Sequence, residues 1–396
     1  MTAPITKAAT ETVWDSLVGQ HRAIEALKAA AEGHGMSHAF LFTGPPGSGR
    51  SNAAVALAAA LQCESESGPP GCGVCHACHT VLAGSHADVA VIRTERLSIG
   101  VGQVRDLVRR SALAPVGRRW QIVIVEDADR LTEGACNALL KAIEEPAERT
   151  VWMLCAPTVE DVLPTIRSRC RLVTLTTPST EAVADFLRRR DGVSEALASY
   201  AARASQGHIG RARALARDED TRNRRREVVA IPTQLTSLGA CMTRAATLTE
   251  VTKAEADAIT TELDAREKAD LDAAYGVVER GRRPREYAPA LRELEKDQKT
   301  RAKRRHLDVV DRGLMDLVSV YRDAIAVATG APGELVNEEM RADIERLART
   351  GSPEVQLRRI AAIFEAREQM LEFNVQPALA LEAMMLALVA PEVRGA

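Results

Sequence analysis

The chain has 396 residues, enough for two or three domains, with 46% hydrophobic and 27% charged residues. This composition is typical of a globular protein, and the net charge of −2 excludes a protein that is basic overall and binds nucleic acid with its whole surface. The N-terminus lacks a charged-then-apolar leader, and no apolar run reaches the ~18 residues that cross a bilayer, so a cytoplasmic location is expected. In that compartment the eight cysteines predict metal ligands or reduced thiols rather than disulfides.

Strands and helices alternate in the first part of the chain. Unbroken apolar or β-branched runs predict buried parallel strands, which we place at residues 39–43, 89–92, 121–125, 151–155 and 172–175. Apolar residues at helical spacing predict helices between them, among them 101–110 and 132–145. This order predicts a doubly wound α/β domain with helices on both faces of a parallel sheet.

After Pro178 only helical periodicity remains, with three short helices expected between 180 and 230 and further helices from 236 to 391. Three domains are therefore predicted. They are an α/β domain with a cysteine-rich insertion, a small helical domain, and a helical C-terminal domain with a charged insert. We place them at residues 1–178 with the insertion at 62–80, 179–235, and 236–396 with the insert near 262–305.

A glycine-rich loop at residues 44–51 joins the first strand to a helix. It reads GPPGSGRS and matches the phosphate-loop pattern G-x-x-x-x-G-K-[ST], except that arginine replaces the lysine. Backbone amides of such a loop cradle phosphates at a helix N-terminus. Arginine is a planar fork and lysine a compact point charge, so we expect no hydrolysis and regard ATP binding as doubtful. The alternative is a loop that keeps its shape to pack the domain and binds nucleotide weakly or not at all. The candidate nucleotide-contacting residues are Gly44, Gly47, Gly49, Arg50 and Ser51.

Two acids, Glu126 and Asp127, follow the third strand. A working nucleotide site ends this strand with Asp-Glu, the Asp near Mg²⁺ and the Glu polarising the attacking water. Here the order is reversed, so each carboxylate is displaced by one methylene, and errors of about 1 Å can cost around 10²-fold in rate. The acids therefore indicate a degenerate nucleotide site, or they only cap the strand end.

The cysteine-rich insertion contains the pattern C-x8-C-x2-C-x2-C. Four thiolates at this spacing predict a closed tetrahedral Zn²⁺ site, which is structural because no position is left for water. Free thiols are the alternative, and His76 and His79 are possible substitute ligands. The predicted ligands are Cys63, Cys72, Cys75 and Cys78, whereas Cys136, Cys155, Cys170 and Cys241 have apolar surroundings typical of core residues.

Four segments together carry a family resemblance. Ser168-Arg169-Cys170 after the fourth strand resembles the arginine-finger motif of the clamp-loader branch of AAA+ proteins. The helical segment 137–146, which reads NALLKAIEEP, is similar to a highly recognisable segment of that family, and the cysteine insertion occupies the same relative place. Residues 374–382 look like a C-terminal helix of a clamp-loader subunit.

The resemblance implies an AAA+ domain, a helical lid and a helical collar that joins subunits into a ring. Such a ring opens the sliding clamp and loads it on primer–template DNA. The resemblance further implies that Arg169 serves in trans as an arginine finger for a neighbouring ATPase motor subunit. The implied partners are the motor subunits, the clamp-opening subunit, the sliding clamp and DNA. No polymerase chemistry is visible in this chain, so any such activity belongs to the larger assembly.

Two departures from the family favour a stationary subunit over a motor. Ala156-Pro157 occupy the place of a polar sensor residue, with Thr158 just beyond. In the lid, Arg211 is shifted by one residue from the family's Gly-Ser-x-Arg pattern, which turns a helical side chain by about 100°. The alternatives are an active ATPase motor of the same ring and a DNA-binding zinc protein.

A basic stretch, 280–285, is followed by further cations at 299–305. These cations could contact DNA phosphates. Acids are interleaved and aromatics are scarce, so we expect a solvated helical hairpin instead.

Overall fold

A computed structural model describes residues 12–66, 68–93, 98–117, 119–277 and 284–389. The N-terminal tail and the basic residues Arg280, Arg282 and Arg283 lie outside these ranges. The chain divides into two units, Met1–Ala216 and Arg217–Ala396. The three-domain division stays a prediction.

A five-stranded parallel sheet forms the centre of the first unit. Phe, Ile, Val and Leu side chains fill the inner strands β1, β3 and β4, which are buried throughout and lie in the order β2-β3-β4-β1-β5. The strands are β1 (Ala39–Thr43), β2 (Val89–Ile92), β3 (Gln121–Val125), β4 (Thr150–Ala156) and β5 (Arg171–Thr174). Phe42 pairs with Cys155 and with Val173, so the carboxyl ends of neighbouring strands share one edge. The predicted fold class is confirmed.

Helices cover both faces of this sheet. One face packs on α1–α3 and the other on α4–α6, because each helix presents an apolar side to the strands. The helices of this unit are α1 (His21–Ala31), α2 (Arg50–Gln62), α3 (His76–Leu82), α4 (Val101–Ser111), α5 (Glu133–Glu144), α6 (Pro164–Arg167), α7 (Thr180–Asp191), α8 (Glu195–Ser205) and α9 (Ile209–Arg217). The alanine-rich helices α7–α9 correspond to the three short helices that were predicted, and they form a separate small core.

The secondary-structure elements that the structure describes in the second unit are all helices, as predicted. Its helices are α10 (Glu219–Gln234), α11 (Leu238–Ala274), α12 (Tyr287–Thr329), α13 (Arg341–Thr350), α14 (Pro353–Leu371) and α15 (Pro377–Val389). Leucine, valine and methionine side chains from these helices form one core. Among the described residues, no helix is both long enough and apolar enough to cross a membrane.

Candidate functional site

The glycine-rich loop lies between β1 and α2, at the carboxyl edge of the sheet. Gly49 adopts φ 95° and begins α2, while the amide of Gly44 donates to the carbonyl of Pro157 at 3.1 Å. The side-chain amide of Gln20, which is buried, donates to the carbonyls of Ser48 (3.3 Å) and Thr176 (2.6 Å). Sequence reasoning missed Gln20, because its partners lie far from it in the chain.

Arg50 turns back onto its own loop. Its guanidinium donates a short hydrogen bond to the carbonyl of Gly44. The cation that replaces the phosphate-loop lysine is therefore held by the loop backbone.

His208, the residue just before helix α9, packs against the loop. A Cβ atom added at Gly47 would lie 2.4 Å from Cγ of His208, so the imidazole packs directly on the loop backbone. Nδ1 of His208 also accepts a hydrogen bond from the backbone amide of Arg211 at 3.2 Å. The residue that packs on the loop is thus His208, which the sequence analysis did not single out. The available signal in the sequence was the neighbouring Gly207, which adopts a φ of 86° in the structure.

The acids after β3 have partners of their own. Glu126, only 10% exposed, forms a two-point ion pair with Arg93, with Nε–Oε2 at 2.5 Å and Nη2–Oε1 at 3.3 Å. Burial raises the pKa of Asp129, and repulsion by Asp127 adds to that shift, whereas Arg130 and Arg50 oppose it. The structure therefore places Arg50 and the acidic cluster together.

Arg169 follows the short helix α6 at the surface. Its Nη2 lies 2.7 Å from Oε1 of Glu144 at the end of α5, and its Nη1 donates to the carbonyl of Thr165 at 2.7 Å. The two side chains are 39% and 44% exposed. In the free chain Arg169 is thus a surface ion pair whose guanidinium still reaches solvent. Its role as an arginine finger stays a prediction.

The four predicted zinc ligands come together. Their sulfur atoms all lie within 4.8 Å of one another, and those of Cys63 and Cys75 are 4.0 Å apart. A tetrahedral zinc site with Zn–S of 2.3 Å requires sulfur–sulfur distances of about 3.8 Å, so the cluster fits such an ion. This group contains neither His76 nor His79.

The pKa is lowered for two of the four thiols, Cys63 and Cys75, because hydrogen bonds outweigh the effect of burial. The amides of Cys75 and Cys78 donate to the sulfur atoms of Cys72 and Cys75, both at 3.4 Å, and Cys75 begins α3. Burial opposes ionisation of Cys63, but backbone hydrogen bonds, chiefly from Cys72, lower its pKa to about 6. Burial raises the pKa of Cys78, whose sulfur lies deepest. A cation that bonds to all four would offset that burial.

The insertion is also fastened to the domain. The amide of Val13 donates to the carbonyl of Gly71 at 3.1 Å, and the indole of Trp14 donates to that of Pro70 at 3.1 Å.

The other cysteines are buried, or half-buried in the case of Cys170, as expected for core residues. Burial raises the pKa of Cys155 and of Cys170 to about 12.

Two family models match this chain. The model described as DNA polymerase III, delta subunit matches residues 19–179, and the model described as DNA polymerase III, delta subunit, C terminal matches residues 311–389. The two matched segments of this chain are therefore similar to the DNA polymerase III delta subunit family, and each segment covers less than half of the chain. The first match contains the loop, the cysteine cluster and Arg169, whereas residues 180–310 lie in neither match.

Relatives within the DNA polymerase III subunits are of two kinds. The delta′ subunit of Yersinia pestis is 36% identical over 192 residues, 47% of this chain and 54% of the relative. That of Pseudomonas aeruginosa is 39% identical over 166 residues, 41% and 50% of the two chains. The gamma/tau subunit of Mycobacterium tuberculosis is 36% identical over 154 residues, 39% of this chain and 27% of the relative. This chain thus matches between about a quarter and about half of these relatives.

Solved structures give a weaker likeness. A gamma subunit-related protein of Thermotoga maritima aligns over 92% of this chain and 97% of that chain, at 18% identity and a TM-score of 0.40. The Bacillus subtilis clamp loader delta protein aligns over 93% and 99%, at 10% identity and a TM-score of 0.31. Because both TM-scores are below 0.5, neither structure supports a conclusion about this chain.

Proposed function

We propose that this chain is the delta′-type stator of a bacterial clamp loader, within the DNA polymerase III holoenzyme. In this role it joins the gamma/tau motor subunits and the delta subunit, and the complex loads the sliding clamp on primer–template DNA. The observation that carries the proposal is the contrast between two arginines. Arg50 is bound within its own loop, while Arg169 stands at the surface.

The nucleotide loop supports a stator rather than a motor. Arg50 is held by Gly44, Glu126 by Arg93, and His208 packs on Gly47. Each of these contacts occupies a group that a nucleotide or its Mg²⁺ would need. We infer that the chain has little or no ATPase activity by itself.

Arg169 supports the proposal because its ion pair with Glu144 can be broken at a small cost in free energy. An ion pair with both partners about 40% exposed contributes about 0–1 kcal/mol. Its guanidinium can therefore leave Glu144 for the γ-phosphate of ATP bound to a gamma/tau neighbour. A permanent cation stabilises the charge that develops there in phosphoryl transfer.

An Arg169→Ala variant tests this role in the reconstituted clamp loader. We expect the ring to assemble, while ATP turnover at the one adjacent motor site falls by about 10³-fold or more. Single-turnover ATP hydrolysis with clamp and primed DNA measures this loss. Arg167→Ala, two residues earlier, is the matched control and should leave turnover unchanged. Equal turnover in wild type and Arg169→Ala would remove the finger assignment.

The cysteine cluster supports a structural zinc ion as the cofactor. Cys63, Cys72, Cys75 and Cys78 would hold it, and the ion would stabilise the insertion on the domain. Four sulfur ligands favour Zn²⁺ over Mg²⁺ or Ca²⁺, which prefer oxygen. With all four positions filled by protein, the ion would take no part in catalysis.

An active gamma/tau-type ATPase is the second candidate function. The Mycobacterium tuberculosis gamma/tau match and the nearly complete loop motif favour it. Tight ATP binding with turnover by the purified chain alone would support this candidate. Absence of turnover alone, with stimulated turnover in the complex that depends on Arg169, would support the stator.

A further inference from the structure

The long helix α12 carries four cations on one side. Arg292, Lys296, Lys299 and Lys303 recur every four or three residues, so they fall within a sector of about 60° on a helix with 3.6 residues per turn. All four are exposed. At 1.5 Å per residue the row is about 17 Å long. We call these four residues the basic stripe.

The basic stripe faces away from the neighbouring helix α11. The opposite side of α12 contacts α11 through Arg301, which is buried and pairs with Asp264 (2.6 Å) and Glu267 (2.5 Å). On that side Gln298 also donates to the carbonyl of Asp264 at 3.0 Å. The cation that holds the two helices together is thus Arg301, and the stripe takes no part in their packing.

The stripe cations are not neutralised locally. In the part of the hairpin that the structure describes, Arg292, Lys296 and Lys299 form no ion pair. Lys303 donates to the amide oxygen of Asn374 at 3.0 Å, which leaves its charge uncompensated. The nearest acids along the helix, such as Glu295, lie about 70° or more from the centre of the stripe. A polyanion can therefore approach all four cations.

Although the sequence alone favoured a solvated hairpin, we propose that the basic stripe binds the phosphate backbone of duplex DNA. Duplex DNA carries one negative charge per about 1.7 Å of its axis, so a row of about 17 Å faces several phosphates at once. The stripe is a straight row of three flexible lysines and one arginine. Such a row fits the repeating phosphates of a nucleic-acid backbone better than it fits a compact acidic pocket on another protein. This inference concerns the unmatched segment between the two family models and does not depend on the role of Arg169.

The contact is independent of DNA sequence. The two tyrosines at the distal end, Tyr275 and Tyr287, stack edge-on against each other at 5.9 Å, and Tyr287 donates to Asp272 at 2.5 Å. They are engaged in closing the hairpin rather than displayed for base stacking. Lysine and arginine contacts to phosphates position a protein on DNA but do not read bases.

A charge-removing variant with a matched control tests the proposal. The variant Arg292→Gln/Lys296→Gln/Lys299→Gln removes three stripe cations and keeps good helix formers. The control Lys253→Gln/Arg266→Gln/Lys268→Gln removes three exposed cations from α11 of the same hairpin. Both change the net charge equally.

Binding of the full chain to a fluorescent duplex is measured by anisotropy across a salt series. For the stripe variant we expect the slope of log K against log[salt] to become shallower by about 2.7, and affinity at 0.1 M salt to fall at least about tenfold. The control should stay within about twofold of wild type. The proposal fails if both variants weaken binding equally, if neither does, or if the wild-type chain binds no duplex at low salt.

Discussion

Replacing Arg225 with Met tests how strongly one buried ionic network holds the C-terminal unit together. Arg225 lies on α10, and its guanidinium is 2% exposed. It contacts Asp316 on α12 at 3.2 Å, Glu339 at 3.2 Å and the amide oxygen of Asn337 at 2.5 Å. The network therefore joins α10 to two segments that lie more than 90 residues later in the chain.

The magnitude follows from the burial of the partners. Asp316 is 5% exposed, so the variant leaves a carboxylate without its buried cation. Breaking such a pair costs about 3–5 kcal/mol. Because Glu339 is partly exposed and can be solvated, we expect about 3 kcal/mol. For a unit of this size, that lowers Tm by roughly 6–12 °C.

Arg224→Met is the matched control on the same helix. Arg224 is 32% exposed and pairs with Glu255 at 3.2 Å and Asp218 at 3.4 Å, so its removal should cost no more than about 1 kcal/mol. All three tryptophans lie in the first unit, so fluorescence reports that unit and far-ultraviolet circular dichroism also reports the second. Arg225→Met should move the dichroism transition more than the fluorescence transition. Equal effects of the two variants on the dichroism transition would refute the reasoning.

Two further predictions concern the first unit. Cys75→Ser removes one of four sulfur ligands, so bound zinc, measured by atomic absorption after dialysis, should fall well below the one ion per chain expected of wild type; equal zinc in both would contradict the tetrathiolate site. Arg50→Lys restores the phosphate-loop lysine, and calorimetry should show tighter ATP binding, yet steady-state ATPase of the lone chain should stay at background because Glu126 remains paired with Arg93. Turnover in this variant would show that Arg50 alone had silenced the site.

The sheet could be predicted closely because its signal is local. A central parallel strand is buried on both faces, so β1, β3 and β4 appear as unbroken apolar runs, and each predicted boundary agrees within one residue. The lengths of α11 and α12 could not be predicted. Their distal half is held by Arg301 and its acids, more than 30 residues away, and no periodic pattern records such a pairing.

The candidate site shows the same difference between local signals, which the sequence contains, and tertiary contacts, which it does not. Motif spacing identified the loop, the acids and the cysteines, because phosphate and metal chemistry fix which residue types recur at which intervals. The residues that contact these motif residues in the folded chain could not be identified from the sequence. Arg93, Glu144 and His208 reach the site only through the tertiary fold, from other strands and helices.

The charged groups at the loop and at the surface differ in how costly they are to release. Glu126 is 10% exposed whereas its partner Arg93 is 67% exposed, so breaking this pair leaves a mostly buried carboxylate, which costs more than freeing a carboxylate that is open to water. The pair of Arg169 with Glu144 is open to water and costs about 0–1 kcal/mol to break. In the proposed function, a neighbour's nucleotide would recruit Arg169 at little cost, whereas a nucleotide in this chain's own loop would have to displace the internal contacts of Glu126 and Arg50. Those unequal costs give a physical reason why this chain would act on a partner's site.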